Sequence, residues 1–264
     1  MATLADAVKE FDLALDDLSS IFDFVRAAIR LRPRLSGMLR WESMGAEEKT
    51  LVDRFLNQQT AEESLLYRGM VISLAGAFEQ FIRRILRDSV LSISGKGTNY
   101  DSLDTGIKKE NLYRTGLALG TIHEPLDYLD LDYESLAKNL GTCFAGSAQA
   151  LLNAEAFAIF LSIISPKHLE DALRRIGVGL RWDDFGKATE MQTILKEKGT
   201  RDTAKAVEAN LKRFGQMRNK IAHSGSSGVV VTEFDFQTLL QFFRVFGRTL
   251  AQLVETDLSK RGGE

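Results

Sequence analysis

From Leu66 to Ile85 the apolar side chains fall three or four residues apart: Leu66, Met70, Leu74, Phe78, Phe81, Ile82 and Ile85. That spacing follows the α-helical turn of about 3.6 residues and excludes a strand, whose faces alternate at every second residue. The same rhythm runs through residues 3–31. It recurs in the stretch carrying Ala204, Val207, Leu211, Phe214, Met217 and Ile221, and again at Phe236, Leu239, Leu240, Phe243, Phe246, Leu250 and Leu253. No alternating run of any length and no internal repeat interrupts it. Helices patterned in this way are stable only when their apolar stripes meet. The spacing therefore predicts an all-α fold: an up-and-down helical bundle with an N-terminal helical extension, the extension over residues 1–45 and the bundle over 46–264.

Local signals divide the helices. Pro33 predicts the end of the first one, since proline disfavours helix before it and removes a donor. Thr60 with Glu63 fits a capping box for the next long helix. Gly69 and Gly76 within that helix cost about 1 kcal/mol each relative to alanine, which predicts a close-packed neighbour there. Residues 95–110 read as a loop, and 143–164 as a continuous buried helix. Ser165 and Pro166 suit the first two positions of a short helix that Gly177 ends. Thr232 and Asp235 suit the start of the last helix.

Bulk properties narrow the function. Apolar residues make up 44% and charged residues 27%, an ordinary globular balance. The net charge of −2 argues against indiscriminate coating of nucleic acid. Residues 26–40 nevertheless hold Arg26, Arg30, Arg32, Arg34 and Arg40 with no acid, and 174–220 are rich in Lys and Arg, whereas 101–134 are acidic. Local basic faces of this kind suit contact with one phosphate chain at one place, or are simply solvated helix surface. The N-terminus has no basic leader, and no run is long enough to span a membrane, so a cytoplasmic protein is expected. Cys143 stands alone, and no cluster has metal-ligand spacing. "SGKGT" at 94–98 fails as a phosphate loop, because Val90 stands where the first glycine belongs.

The chain has three histidines, and one closes "QMRNKIAH". Helical residues advance by about 100°, so Asn219 and His223 lie on one face a turn apart, with the long Arg218 able to sweep toward them. An imidazole is suited to proton transfer near neutrality, and a guanidinium presents a planar donor fork to phosphate oxygens. Asn219 could orient the ring. The set suits cleavage of a phosphodiester by its own 2′-hydroxyl without a metal. It is equally a set that could fix a helix end to its neighbour, with Arg218 in an ion pair. Cleavage needs both a base and an acid, which two copies across a two-fold axis would supply. His123 and His168 read as structural.

These residues resemble a known family. "RNKIAH" fits the R-(N/D/H)-x-x-x-H signature of the HEPN superfamily. "SLAGAFEQFIRRIL" is similar to the helix that faces the motif helix there. "LEDALRRIGVGLRWDDF", followed by a helix ending in "MRNKIAHSG" and one last helix, is similar to the RiboL-PSP-type branch, over roughly residues 60–258. The resemblance implies a dimeric, metal-independent endoribonuclease that leaves a 2′,3′-cyclic phosphate, of the toxin or antiviral defence type. It implies Arg218 and His223 as the catalytic pair, Asn219 as the variable polar position, and Glu79 as an acidic support. Lys212, Arg213, Lys220, Arg83, Arg84 and Arg87 are candidates for contact with the RNA backbone. The expected partners are RNA, with tRNA among the candidates, a second copy of the chain, and an antitoxin or sensor protein. No cofactor and no membrane are expected. The alternative is a non-catalytic helical adaptor of a defence complex.

Overall fold

The computed structural model describes residues 3–38, 44–57, 60–95, 99–121, 132–145, 151–159, 165–224 and 229–261. Among them every regular element is helical: α1 (Leu4–Met38), α2 (Ala46–Leu56), α3 (Thr60–Gly95), α4 (Thr105–Thr121), α5 (Tyr133–Phe144), α6 (Ala154–Ala158), α7 (Pro166–Arg175), α8 (Trp182–Gly186), α9 (Thr189–Leu195), α10 (Thr200–Ser224) and α11 (Glu233–Arg261). The expected all-α bundle is what forms, and α4 occupies part of the stretch read as a loop.

A row of phenylalanines joins the long helices. Phe78 of α3 meets Phe243 and Phe246 of α11 with ring centroids 4.8 and 5.8 Å apart. Phe246 stacks on Phe185 of α8 at 4.7 Å, and Phe214 of α10 meets Phe243 edge-on at 4.5 Å. All five rings are fully buried. Each contributes about 1.5–3 kcal/mol by leaving water. Leu66, expected on the inner face of α3, is instead 42% exposed.

The N-terminal helix is built into this core. Ala7, Phe11, Leu15, Leu18 and Phe22 of α1 are buried, with Phe11 stacked on Phe81 at 4.5 Å. A ladder of ion pairs ties α1 to α11: Asp12–Arg248 at 3.0 Å, Asp16–Arg244 at 2.6 Å, and Arg26 and Arg30 on Glu233 at 2.8 and 3.0 Å. The basic run at 26–34 thus spends Arg26, Arg30 and Arg32 on carboxylates within the chain. The helix also passes through Pro33 to Met38, contrary to the expectation that proline ends it. Arg32 reaches Glu63 at 2.8 Å and lies over the Phe55 ring, and these tertiary contacts on the adjoining turn offset part of proline's cost of about 3 kcal/mol.

Two further expectations are corrected. A Cβ added at Gly69 or Gly76 would meet nothing within 4 Å, so neither glycine marks a close approach. The glycines that do are Gly186, where a Cβ would lie 2.0 Å from the Thr200 carbonyl oxygen, and Gly247, where it would lie 2.8 Å from the Phe11 ring. The continuous helix over 143–164 is also broken. α5 stops at Phe144, residues 151–153 are not helical, and α6 has only five residues, with 146–150 and 160–164 outside the described residues. Asn153 explains the break. Its backbone N–H donates to Asn111 Oδ1 at 3.1 Å, its amide donates to Thr115 Oγ1 at 3.0 Å and to the Leu136 carbonyl at 2.9 Å, and its Oδ1 accepts from Asn139 at 3.0 Å. A buried amide satisfied by two other helices holds its own backbone out of a helix.

Several caps fall where the residues indicate. Ser165 Oγ accepts from the His168 N–H behind Pro166. Gly177, at φ 79°, closes α7 with Gly177 N–H on the Arg174 carbonyl and Val178 N–H on the Leu173 carbonyl. Thr232 and Asp235 exchange side-chain and backbone hydrogen bonds at the head of α11. The carboxylate of Glu63 takes Arg32, and the Thr60 side chain lies outside the described residues.

Candidate active site

The motif sits at the end of a helix fixed along its length. The first turn of α10 lies against α8 at the Gly186–Thr200 contact. Ala204, Val207, Leu211 and Phe214 are buried, and Met217 and Ile221 are half-buried against the same core. This apolar stripe leaves the next sector of the helix at the surface. Arg218 is half-buried there, while Asn219, Lys220 and His223 are exposed. The helix ends at Ser224, and residues 225–228, including Gly225, lie outside the described residues.

Arg218 Nη1 donates to Asn219 Oδ1 at 3.2 Å. Its Nε is buried and has no hydrogen-bond partner. Within one chain the amide of Asn219 therefore engages the guanidinium, and no hydrogen bond joins it to the His223 ring. The arginine stem is long enough to fold across to the neighbouring amide, whereas the imidazole stands free one turn on. Glu79, half-buried on α3, makes no hydrogen bond or ion pair with Arg218 or His223. The arrangement offers a guanidinium steadied at one end, an accessible imidazole, and an open face around both. None of the cavities described contains Arg218, Asn219 or His223.

The basic candidates separate into two groups. On α10, Lys212 is exposed, and Arg213 is exposed with Asp235 3.5 Å away. On α3, two of the three arginines are committed. Arg84 donates to Asp88 at 2.9 Å and to Glu10 at 3.0 Å, and Arg87 pairs with Glu155 at 2.6 Å. Burial pushes the Asp88 carboxyl above its ordinary range in spite of Arg84, while the hydrogen bond to Asp88 raises Arg84. Arg83 makes no ion pair among the described residues. The spacing of Arg84 and Asp88, four apart on a helix, was the one signal in the residue order that could have removed Arg84 from the RNA candidates.

One residue escaped the reading of the sequence. Phe234, on the first turn of α11, is 76% exposed, with Val230 nearby in the chain at 73%. It stands between Glu233 and Asp235, the acidic residues that engage Arg26, Arg30 and Arg213. Only its departure from the inward positions of α11 could have singled it out.

Of the remaining candidates, Cys143 has a structural setting. Cys143 is buried, accepts from Asn111 at 3.7 Å, and has its thiol pushed up by burial, which suits an inert side chain. His168 is an exposed first-turn residue, and His123 lies outside the described residues. Among the described residues no group of three metal-ligating side chains occurs, and no helix is long and apolar enough to cross a membrane.

A protein-family model described as RiboL-PSP-HEPN matches residues 46–256, so α1 lies outside the matched stretch. No curated protein and no solved structure matches the chain.

Proposed function

The chain belongs to the RiboL-PSP-HEPN family, and on that premise we propose that it is a metal-independent endoribonuclease of the toxin or antiviral defence type. The observation that carries the reading is the exposed His223 imidazole one turn beyond the Arg218–Asn219 pair, at the end of a helix anchored in the core.

In the proposed reaction the 2′-hydroxyl of a ribose attacks the adjacent phosphorus. The proton of that hydroxyl passes to an imidazole, the bond from phosphorus to the 5′-oxygen breaks, and the leaving 5′-oxygen takes a proton from a second acid. The products are a 2′,3′-cyclic phosphate and a 5′-hydroxyl. Arg218 meets the charge that gathers on the non-bridging oxygens, and Asn219 holds the guanidinium in place. One chain brings one His223, so the second proton-transfer group comes from the partner in a two-fold dimer. The open face around His223 suits such pairing. Lys212 and Arg213 contact the RNA backbone, and Phe234 stacks a base of a single-stranded segment.

The test is incubation of the purified chain with structured and unstructured RNA in excess chelator, beside His223→Ala and Arg218→Ala. Cleavage present in the wild type and lost in both variants supports the proposal. Cleavage that depends on added metal, or that persists in His223→Ala, overturns it. A stable complex with a protein partner and no cleavage under any condition assigns the family fold to an adaptor role instead.

A further inference from the structure

Away from the motif, α1, α3 and α6 enclose a cleft of about 410 Å³. It exists because the facing helices carry alanine where they converge: Ala7 and Ala14 on α1, Ala77 on α3 and Ala158 on α6. The stacked rings of Phe11 and Phe81 also line it. Its polar wall comes from α3, through Gln80, Arg83, Arg84 and Arg87, with Glu10 and Glu155 opposite.

Charge within the cleft is nearly but not wholly matched. Arg84 is held by Glu10 and Asp88, and Arg87 by Glu155, so both carboxylates on the wall are already engaged. Arg83 is left over. It is half-buried and forms no ion pair among the described residues. A guanidinium lining the cleft with no carboxylate of its own leaves its donor fork for an anion seated there. The apolar walls of alanine and phenylalanine leave room beside that anion for a flat ring.

We infer that this cleft binds a small organic anion with one phosphate and one aromatic ring, a mononucleotide in chemical class, with the phosphate on Arg83 and the base against the Phe11–Phe81 wall. The inference is independent of the nuclease reading. One wall of the cleft is α1, which lies outside the residues that match the family, so the site belongs to what this chain adds to the family domain. Because α1 also packs along α11, occupancy of the cleft ties α1 more firmly to the bundle.

The experiment is calorimetric titration of the full chain with the four ribonucleoside 5′-monophosphates, the parent nucleosides and inorganic phosphate as probes. Three variants accompany it: Arg83→Gln, which removes the unpaired cation, and Ala77→Leu and Ala14→Leu, which fill the cleft from opposite walls. Thermal melts establish that each variant is folded, and the second filling variant stands in should the first fail to fold. At least one monophosphate is expected to bind more tightly than about 1 mM. Arg83→Gln is expected to weaken it at least tenfold while leaving the weaker nucleoside binding unchanged, and the filling variants are expected to abolish both. The readout is nucleotide binding to Arg83→Gln and to the filled clefts, not RNA cleavage, which separates this result from the fate of the nuclease reading. No binding by any monophosphate, or binding that Arg83→Gln and the filled clefts leave intact, overturns the inference.

Discussion

The Arg218 guanidinium donates through Nη1 to Asn219 Oδ1 at 3.2 Å, so two neighbours on the surface of α10 act as one unit. The long stem of Arg218 would otherwise sample many rotamers, and the amide removes part of that freedom before any phosphate arrives. If the pair positions the guanidinium, Asn219→Ala lowers kcat about tenfold, equivalent to about 1.4 kcal/mol of transition-state stabilisation. Asn219→Asp, which keeps an acceptor for Nη1, retains most of the rate. Single-turnover cleavage of a defined RNA measures both. Equal rates for the wild type and Asn219→Ala would remove the pair from the mechanism.

Arg218→Lys keeps a positive charge and loses the planar fork. The expected loss is about 100-fold or more in kcat with little change in KM, because the fork meets charge that builds only as the reaction proceeds. Phe234→Ala is expected to do the opposite. Loss of base stacking weakens binding by about 1–3 kcal/mol, seen as a higher KM with kcat unchanged, and Phe234→Trp restores it. The kcat and KM values of these variants on single-stranded RNA are the check.

The glycines give a stability test with opposite signs. Gly69→Ala and Gly76→Ala meet open space in the middle of α3 and should each raise stability by about 0.5–1 kcal/mol. Gly247→Ala drives a methyl group into the Phe11 ring, itself packed on Phe81, and should lower stability by about 1–3 kcal/mol. Denaturant unfolding curves would show both.

Much of this architecture is legible in residue order, and the failures share a cause. Phe78, Phe214, Phe243 and Phe246 declare the core because helical periodicity is a local property of the chain. Ser165, Gly177, Thr232 and Asp235 declare helix ends for the same reason. Pro33 misleads because Glu63 and Phe55, which hold α1 on course beside it, are remote in sequence. Asn153 breaks the expected helix at 143–164 through Asn111, Thr115 and Leu136, none of them near it in the chain. At the site, the alignment of Asn219 and His223 follows from helix geometry. The choice of Arg218 over the imidazole as partner for Asn219 depends on rotamers, and so does the commitment of Arg84 and Arg87 to Glu10 and Glu155.

The Asn153 cluster should be costly to disturb. Asn153→Leu leaves Thr115, Asn139 and the Leu136 carbonyl without a buried partner, and a loss of about 2–4 kcal/mol is expected. Urea titration of the variant measures it, and a loss below about 1 kcal/mol would mean that water replaces the amide.

Acid stability depends in part on Asp184. Its hydrogen bond to Lys187 at 2.7 Å, aided by Arg181, holds its carboxyl below the ordinary value of 3.8. A depressed carboxylate pKa means that the unfolded chain binds the proton first as pH falls. The stabilisation is therefore complete above the ordinary value and is lost below it, as pH falls through the lower folded value. For a pair this near the surface the amount is about 1 kcal/mol or less. Asp184→Asn should thus be less stable than the wild type at pH 7, and the gap should close in melts taken progressively below pH 4. A gap that stays constant into that acid range would assign the difference to packing rather than charge.

The central claim is that one scissile phosphate is served by an imidazole from each of two chains, and subunit mixing tests it most directly. Wild-type and His223→Ala chains, co-expressed in equal amounts and paired at random, yield about one wild-type pair in four. The account predicts that RNA cleavage by the mixture falls to about one quarter of the wild-type rate. A fall to about one half would show that each chain cuts with its own His223, and would contradict it.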